Sequence, residues 1–281
     1  MPADLFTLRR PPGEELPIVA NLPHSGLQVP EHIAEHFTPE QLQSLPNSDW
    51  HLQELYQWLP ALGVTMMQAN YSRYVVDLNR ALKPPFFGSF WSAVVPEQTA
   101  FKKAIYTRKP SPQAVRDRID EYYTPYHQQL AALLNEKIAQ FGRVYLLDLH
   151  SFMGLITDDV CLGNANGRTC SAQLMQIVDD SFARQSYQVV QNKVFTGGYI
   201  TRHYGQHYGQ HRSQPLNSQP LKQLEALQIE LHYPLYLPDD QLDTGRIPTW
   251  QHPTFTQAQQ RLKITFQSIC AALSPANLSK E

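Results

Sequence analysis

Short apolar, β-rich runs alternate with longer segments of helical periodicity along most of the sequence, and few folds accommodate that order. Strands are expected at "LPIVANL" (16–22), "GVTMMQA" (63–69), "RYVVDLN" (73–79), "VYLLDLH" (144–150), "DDVCLGN" (158–164), "YQVVQNKVF" (187–195) and "ALQIELH" (226–232). Helices are expected over 38–59 in two pieces around Pro46, over 111–141 with Ser111 as N-cap and Pro112 at the first helical position, over 171–185, and over 254–273 with Thr254 or Thr256 as cap. Pro125 should kink or split the 111–141 helix, because proline lacks the N–H that the helix ladder needs. Asn166-Gly167 is a hairpin-type turn signal after the 158–164 run. The alternation predicts an α/β sandwich with a largely parallel or mixed sheet. No internal repeat or low-complexity stretch interrupts it, and the 22 prolines fall mostly between elements, so a single domain over residues 1–281 is expected.

With 42% hydrophobic residues, a 281-residue chain can bury a sizeable core. Its formal net charge of -2 gives no bulk electrostatic bias toward nucleic acid or a membrane surface. Cys161, Cys170 and Cys270 are odd in number and lack CxxC spacing, which predicts free thiols in a reducing compartment. "MPADLFTLRRPPGEELP" has no apolar stretch of the signal-peptide kind, and no run reaches the roughly 18 apolar residues of a membrane helix. A soluble, cytoplasmic protein is expected. The sequence leaves the oligomeric state open.

Four of the strand-like runs deliver polar groups at their C-terminal ends, the edge where open α/β sheets bind ligands. "IVANLPHSG" leads to His24 in a stiff Pro/Gly loop. In "VYLLDLHSF", alternation puts Leu146, Asp148 and His150 on one face, where a carboxylate can orient a histidine. "YSRYVVDLNR" carries Arg73, Asp77, Asn79 and Arg80. Asn79 and Arg80 together suit an anionic substrate, since a guanidinium presents a planar fork to a carboxylate. Arg73 and Asp77 make equal sense as an internal ion pair. In "ALQIELH", Gln228, Glu230 and His232 share a face, and Glu230 suits general-base work. An ordinary half-exposed strand gives the same alternation.

Two histidines, a carboxylate and an Arg–Asn pair on neighbouring strand ends point to a catalytic metal, because zinc sites of hydrolases use three protein ligands and leave a position for water. His24 and His150 are the expected nitrogen ligands. Asp49 in "NSDWHLQELY" is the expected third ligand, because it follows the His24 loop and opens a helix, where it would otherwise be a plain N-cap. "TRHYGQHYGQHR" (201–212) repeats His203, His207 and His211 every four residues, yet Gly205 and Gly209 recur in the same frame and no carboxylate lies within it. A mobile substrate loop or lid is expected there rather than a metal cluster. No Gly-rich phosphate loop, G-x-S-x-G elbow or H-E-x-x-H motif appears.

In this order, "NLPHSG", "NSDWHLQELY", "YSRYVVDLNR", "LLDLHSF", "FTGGYITRHYG" and "LQIELHYPLY" resemble the N-formylglutamate amidohydrolase family, over roughly residues 17–240. The resemblance implies a three-layer α/β/α sandwich around a mixed sheet, similar to the zinc carboxypeptidases. It implies one zinc ion held by His24, His150 and a carboxylate, placed at Asp49. It implies that Glu230 activates the zinc-bound water, that Asn79 and Arg80 grip the substrate carboxylate, and that Arg73 lies near the scissile carbonyl. The implied substrate is a small anionic N-acyl amino acid. The implied reaction is hydrolysis of N-formyl-L-glutamate to formate and L-glutamate, a step of histidine degradation. A zinc carboxypeptidase, or an amidohydrolase for another N-acyl amino acid, would use the same centre. A non-catalytic anion-binding protein would keep the fold without the reaction. The sequence departs from the family pattern between "RHYG" and "ALQIEL", where His207 follows Gly205-Gln206 and Glu225 precedes Ala226 across a longer connection.

Overall fold

The computed structural model of the chain describes residues 4–154, 156–210, 223–242 and 244–275. The strands among them are β1 (Phe6–Arg9), β2 (Ile18–Leu22), β3 (Thr65–Ala69), β4 (Phe87–Gly88), β5 (Val95–Pro96), β6 (Arg143–Phe152), β7 (Val160–Gly163), β8 (Val189–Gln191) and β9 (Gln223–His232). Seven form one mixed sheet in the order β1-β3-β2-β6-β9-β7-β8, while β4 pairs with β5 apart from it. β3, β2, β6 and β9 run parallel; β1 is antiparallel to β3, and β7 to β9. All of β2, and β6 from Val144 onward, is buried, as strands covered on both faces must be. The parallel centre brings the C-terminal ends of β2, β6 and β9 to one edge.

The helices are α1 (Glu31–Ala34), α2 (Pro39–Ser44), α3 (Leu52–Leu55), α4 (Pro112–Arg118), α5 (Thr124–Phe141), α6 (Ala172–Ala183), α7 (Tyr199–Gln210) and α8 (Pro253–Ala272). Side-chain alternation divides the core between them. Ile18, Ala20 and Leu22 of β2, Tyr145, Leu147 and Leu149 of β6, and Leu227, Ile229 and Leu231 of β9 pack with α3, α6 and α8. Val19, Val144, Leu146 and Ala226, one step out of phase, pack with α4, α5 and α7. The layers are α/β/α, as expected. Asn21, Asp148, His150, Gln228 and Glu230 share the second phase, so all five point to the α5/α7 face near the strand ends. That face is apolar where the strands begin and polar where they end. The three cysteines are buried free thiols. No helix among the described residues is long and apolar enough to cross a membrane.

Local chemistry sets most boundaries. Ser111 and Ser171 accept hydrogen bonds from the Ala114 and Leu174 N–H groups and cap α4 and α6. α4 continues into α5 through a π-turn at Ile119–Tyr123, just before Pro125. The missing proline donor is accommodated by a widened turn rather than a break.

Four expectations are corrected. Residues 73–79 form buried turns rather than a strand, because Asp77 and Ser72 bond backbone N–H groups of their own segment. Asn166-Gly167 does turn the chain, but into α6 rather than a hairpin; β7 pairs with β9 and β8 instead. The α8 cap is the His252 side chain, which accepts from the Thr254 N–H. The 201–212 segment is helical as far as Gln210, and residues 211–212 lie outside the described residues. Ile200, Thr201, Tyr204 and Gly205 form the buried side of α7. A Cβ on Gly205 would lie 2.5 Å from the Thr169 Cβ, so this glycine permits a close approach that outweighs its poor helix propensity.

His127 of α5 is set among Tyr123, Tyr126, Tyr199 and Tyr204, its ring nitrogens 3.0 Å from the Tyr204 hydroxyl and from the Leu78 carbonyl. Burial holds its pKa down to about 4. Unfolding restores the ordinary value near 6.5, so the unfolded chain takes a proton that the native one refuses. Stability is therefore expected to fall by about 2–3 kcal/mol as pH drops from roughly 6.5 to 4. His127→Gln should flatten that slope in urea unfolding at pH 7, 5.5 and 4.5. An equal slope in both proteins would assign the acid sensitivity elsewhere.

Candidate metal centre and active site

β2 ends at Leu22, and Pro23 turns the chain into His24. The loop lies close against the chain just after β3: a Cβ on Gly26 would meet the backbone of Asn70 at 2.5 Å. The His24 carbonyl accepts from the Asp49 N–H at 3.0 Å, which locks this loop to the segment before α3. Asp49 is not a helix cap. α3 is preceded by His51 in the left-handed conformation, with no side-chain cap bond, and the Asp49 carboxylate faces the histidines.

His24, Asp49 and His150 converge, buried, with one ligand atom from each within 4.8 Å of the others. Asp49 Oδ2 lies 2.9 Å from His150 Nδ1 and 3.8 Å from His24 Nδ1. The far side of each ring meets a different carboxylate: His24 Nε2 is 2.7 Å from Asp77 Oδ1, and His150 Nε2 is 3.1 Å from Asp148 Oδ2. An ionised carboxylate only accepts, so His24 Nε2 carries a proton, and the Nδ1 atoms of both rings turn toward Asp49. Burial and Arg73 lower the His24 pKa to about 4 against the pull of Asp77, leaving a neutral ligand. Burial opposes a charge on His150, but Asp148 and Asp49 outweigh it and raise its pKa well above the usual range. A metal would replace the proton shared between His150 and Asp49. Two imidazole nitrogens and one carboxylate, each imidazole backed by an acid, fit a divalent ion of the zinc type.

Glu230 pairs in register with His150 across β6 and β9 and shares its face. Gln228 Nε2 donates to Glu230 Oε1 at 2.6 Å. Burial, helped by Asp49 and opposed by His150, pushes the Glu230 pKa up to about 7. The 73–80 segment closes the other wall. Arg73 donates to Asp77 Oδ2 at 2.6 Å through Nη2 and to the Asn47 carbonyl at 2.8 Å through Nη1. The ion pair foreseen for Arg73 and Asp77 is therefore present. Asn79 Oδ1 accepts from the Ile200 N–H at 2.8 Å, and its Nδ2 lies 3.2 Å from His150 Nε2. Arg80 donates to the Phe90 and Asn79 carbonyls. Burial and Arg73 lower its pKa, with Asp77 opposing. All seven predicted residues, His24, Asp49, Arg73, Asn79, Arg80, His150 and Glu230, line one cavity of about 610 Å³. Trp91, Phe101 and Val194 stand exposed at its mouth. His203 does not join the centre and stacks on Tyr199 instead; His207 and His211 have no described side chains.

Behind Asp148 and His24 stand supports that local spacing does not reveal. Tyr126 donates to Asn21 at 2.7 Å, and Asn21 donates to Asp148 at 2.8 Å, a buried line ending at His150. Asn21 is a polar residue inside the apolar run "IVANL", and that was its signal. The spacing of 73–77 makes Asp77 a partner for Arg73, and in the fold it also holds His24. No local spacing connects those two.

A mixed sheet with two histidines and a carboxylate gathered at its carboxyl edge defines an α/β protein with a metal-type donor set. A family model described as N-formylglutamate amidohydrolase matches residues 16–237, and the chain belongs to that family. It is 31% identical over 245 residues to an N-formylglutamate deformylase of Pseudomonas putida, covering 82% of this chain and 85% of that protein. It is 30% identical over 233 residues to an N-formylglutamate deformylase of Pseudomonas aeruginosa, covering 79% and 82%. A crystal structure of N-formylglutamate amidohydrolase from Ralstonia eutropha JMP134 superposes with a TM-score of 0.77 at 26% identity, covering 96% of this chain and 97% of that one.

Proposed function

We propose that this chain is a zinc-dependent amidohydrolase that cleaves N-formyl-L-glutamate to formate and L-glutamate. The observation that carries the reading is the buried His24–Asp49–His150 cluster beside Glu230, in a chain of this family. A divalent ion held by His24, Asp49 and His150 would supply Lewis acidity toward the formyl oxygen and lower the pKa of a nearby water. Glu230, poised near neutrality, takes the proton from the attacking water and returns it to the departing amine. Asp77 keeps His24 in the tautomer that directs Nδ1 inward, and Asp148 flanks His150 from behind. Arg80 and Asn79 hold a substrate carboxylate at the cavity wall. Arg73, anchored by Asp77, sits where its remaining N–H groups can stabilise charge on the carbonyl oxygen. The buried free thiols support a reducing compartment, and we place the enzyme in the cytoplasm.

N-formyl, N-acetyl and peptide derivatives of glutamate, compared at equal metal loading, test the reaction class. Preference for the formyl compound is expected; a preference for a peptide would make the centre a carboxypeptidase. Arg80→Ala is expected to raise KM for N-formylglutamate roughly 10- to 100-fold, with a smaller change in kcat, because it removes a charged hydrogen-bond partner. An unaltered KM in steady-state kinetics would place the substrate carboxylate elsewhere.

A further inference from the structure

A second cavity, of about 660 Å³, adjoins the catalytic one and shares Asn79, Arg80, Trp91, Gly197 and Gly198 with it. Its charged walls are Arg80, Lys83 and Arg202, and no Asp or Glu lines it. The cations are not balanced nearby. Arg202 donates to the Gly197 carbonyl and the Thr196 hydroxyl, each at 2.7 Å, and both acceptors are neutral. Among the described residues neither Arg202 nor Lys83 forms an ion pair. The carboxylate nearest Arg80, Asp77 at 3.8 Å, is already bound to Arg73 at 2.6 Å. A cavity with an uncompensated positive wall, opening on a reaction centre, favours an anionic group.

We propose that this annex is a second carboxylate subsite, in which Lys83 and Arg202 receive the acidic side chain of the substrate while Arg80 and Asn79, at the seam of the two cavities, hold its α-carboxylate. The inference deepens the proposed function and rests on an N-acyl amino acid occupying the catalytic cavity. Lys83 is exposed, so replacing it should spare the fold and isolate its charge. Arg202 also fastens the Thr196–Gly197 turn, so it is less suited to a first test.

The test is calorimetric binding of L-glutamate and of L-glutamine, which match in shape and differ in charge, to the wild type, Lys83→Met and Lys83→Glu. The wild type should prefer glutamate. That preference should fall about fivefold in Lys83→Met and more than roughly tenfold in Lys83→Glu, where attraction becomes repulsion. Equal preference in all three proteins, or none in the wild type, would overturn the subsite. Formate release by the wild type is measured separately. A charge-dependent glutamate preference without formate release would retain the subsite and reject the reaction.

Discussion

Glu230→Gln is expected to retain the metal and the fold while kcat falls by about 10²–10⁴-fold, the usual loss on removing a general base. The substitution keeps shape and one acceptor. Gln228, which donates to Glu230 Oε1 at 2.6 Å, finds a carbonyl oxygen in the same place. Only proton affinity is lost. Burial and Asp49, against His150, bring that carboxylate to about 7, far above an ordinary glutamate and matched to proton transfer near neutrality. Activity should fall on the acid side as Glu230 becomes protonated, and a bound cation would move that limb to lower pH. The glutamine variant should lack this limb. Metal content and kcat, measured on the same preparation, decide the role. Normal metal with normal turnover removes Glu230 as the base, and lost metal would make it part of the binding site.

Asp77→Asn is the second large effect. Asp77 is fully buried and accepts from four groups: His24 Nε2 at 2.7 Å, the Asn79 N–H at 2.9 Å, and Arg73 Nη2 and Nε at 2.6 and 3.2 Å. An amide turns an NH₂ toward at least one of these donors and removes the negative charge paired directly with a buried guanidinium. The expected loss is about 3–5 kcal/mol, as for breaking one partner of a buried pair. Metal affinity should fall about 10- to 100-fold with it, because His24 loses the group that fixes its tautomer. Burial opposes the Asp77 charge, but Arg73, Arg80 and His24 hold its pKa well below the usual carboxylate range. A depressed native pKa stabilises above the unfolded value and is lost as pH falls through the native one. The gap between wild type and variant in urea unfolding should therefore be full at pH 7 and narrow in strong acid. A gap below 1 kcal/mol at pH 7 would mean that Arg73 finds another partner.

The strand-end polar groups were legible because buried polar atoms are costly unless they are used. Asp148 and His150 close the apolar run of β6, and His24 and Glu230 sit at the ends of its two neighbours. Alternation then puts Asp148 with His150, and Glu230 with Gln228, on one face of each strand. What could not be read locally is tertiary. Tyr74, Val75 and Val76 have strand propensity, yet their segment is turned by Asp77, which reaches His24 53 residues earlier in the chain. The glycines of 201–212 argue against helix in isolation. In the fold, Gly205 lets α7 lie against Thr169, and Thr201 lies 3.3 Å from Asp148. Asp49 had the right position for a cap, and only the meeting of two distant loops turns it toward the histidines.

The most direct measurement is formate release from N-formyl-L-glutamate by the zinc-loaded and the chelated protein side by side, with bound metal quantified. Release by the loaded protein, lost on chelation and restored by added zinc, is the predicted result. No release from protein with zinc bound, or equal release after chelation, would contradict it.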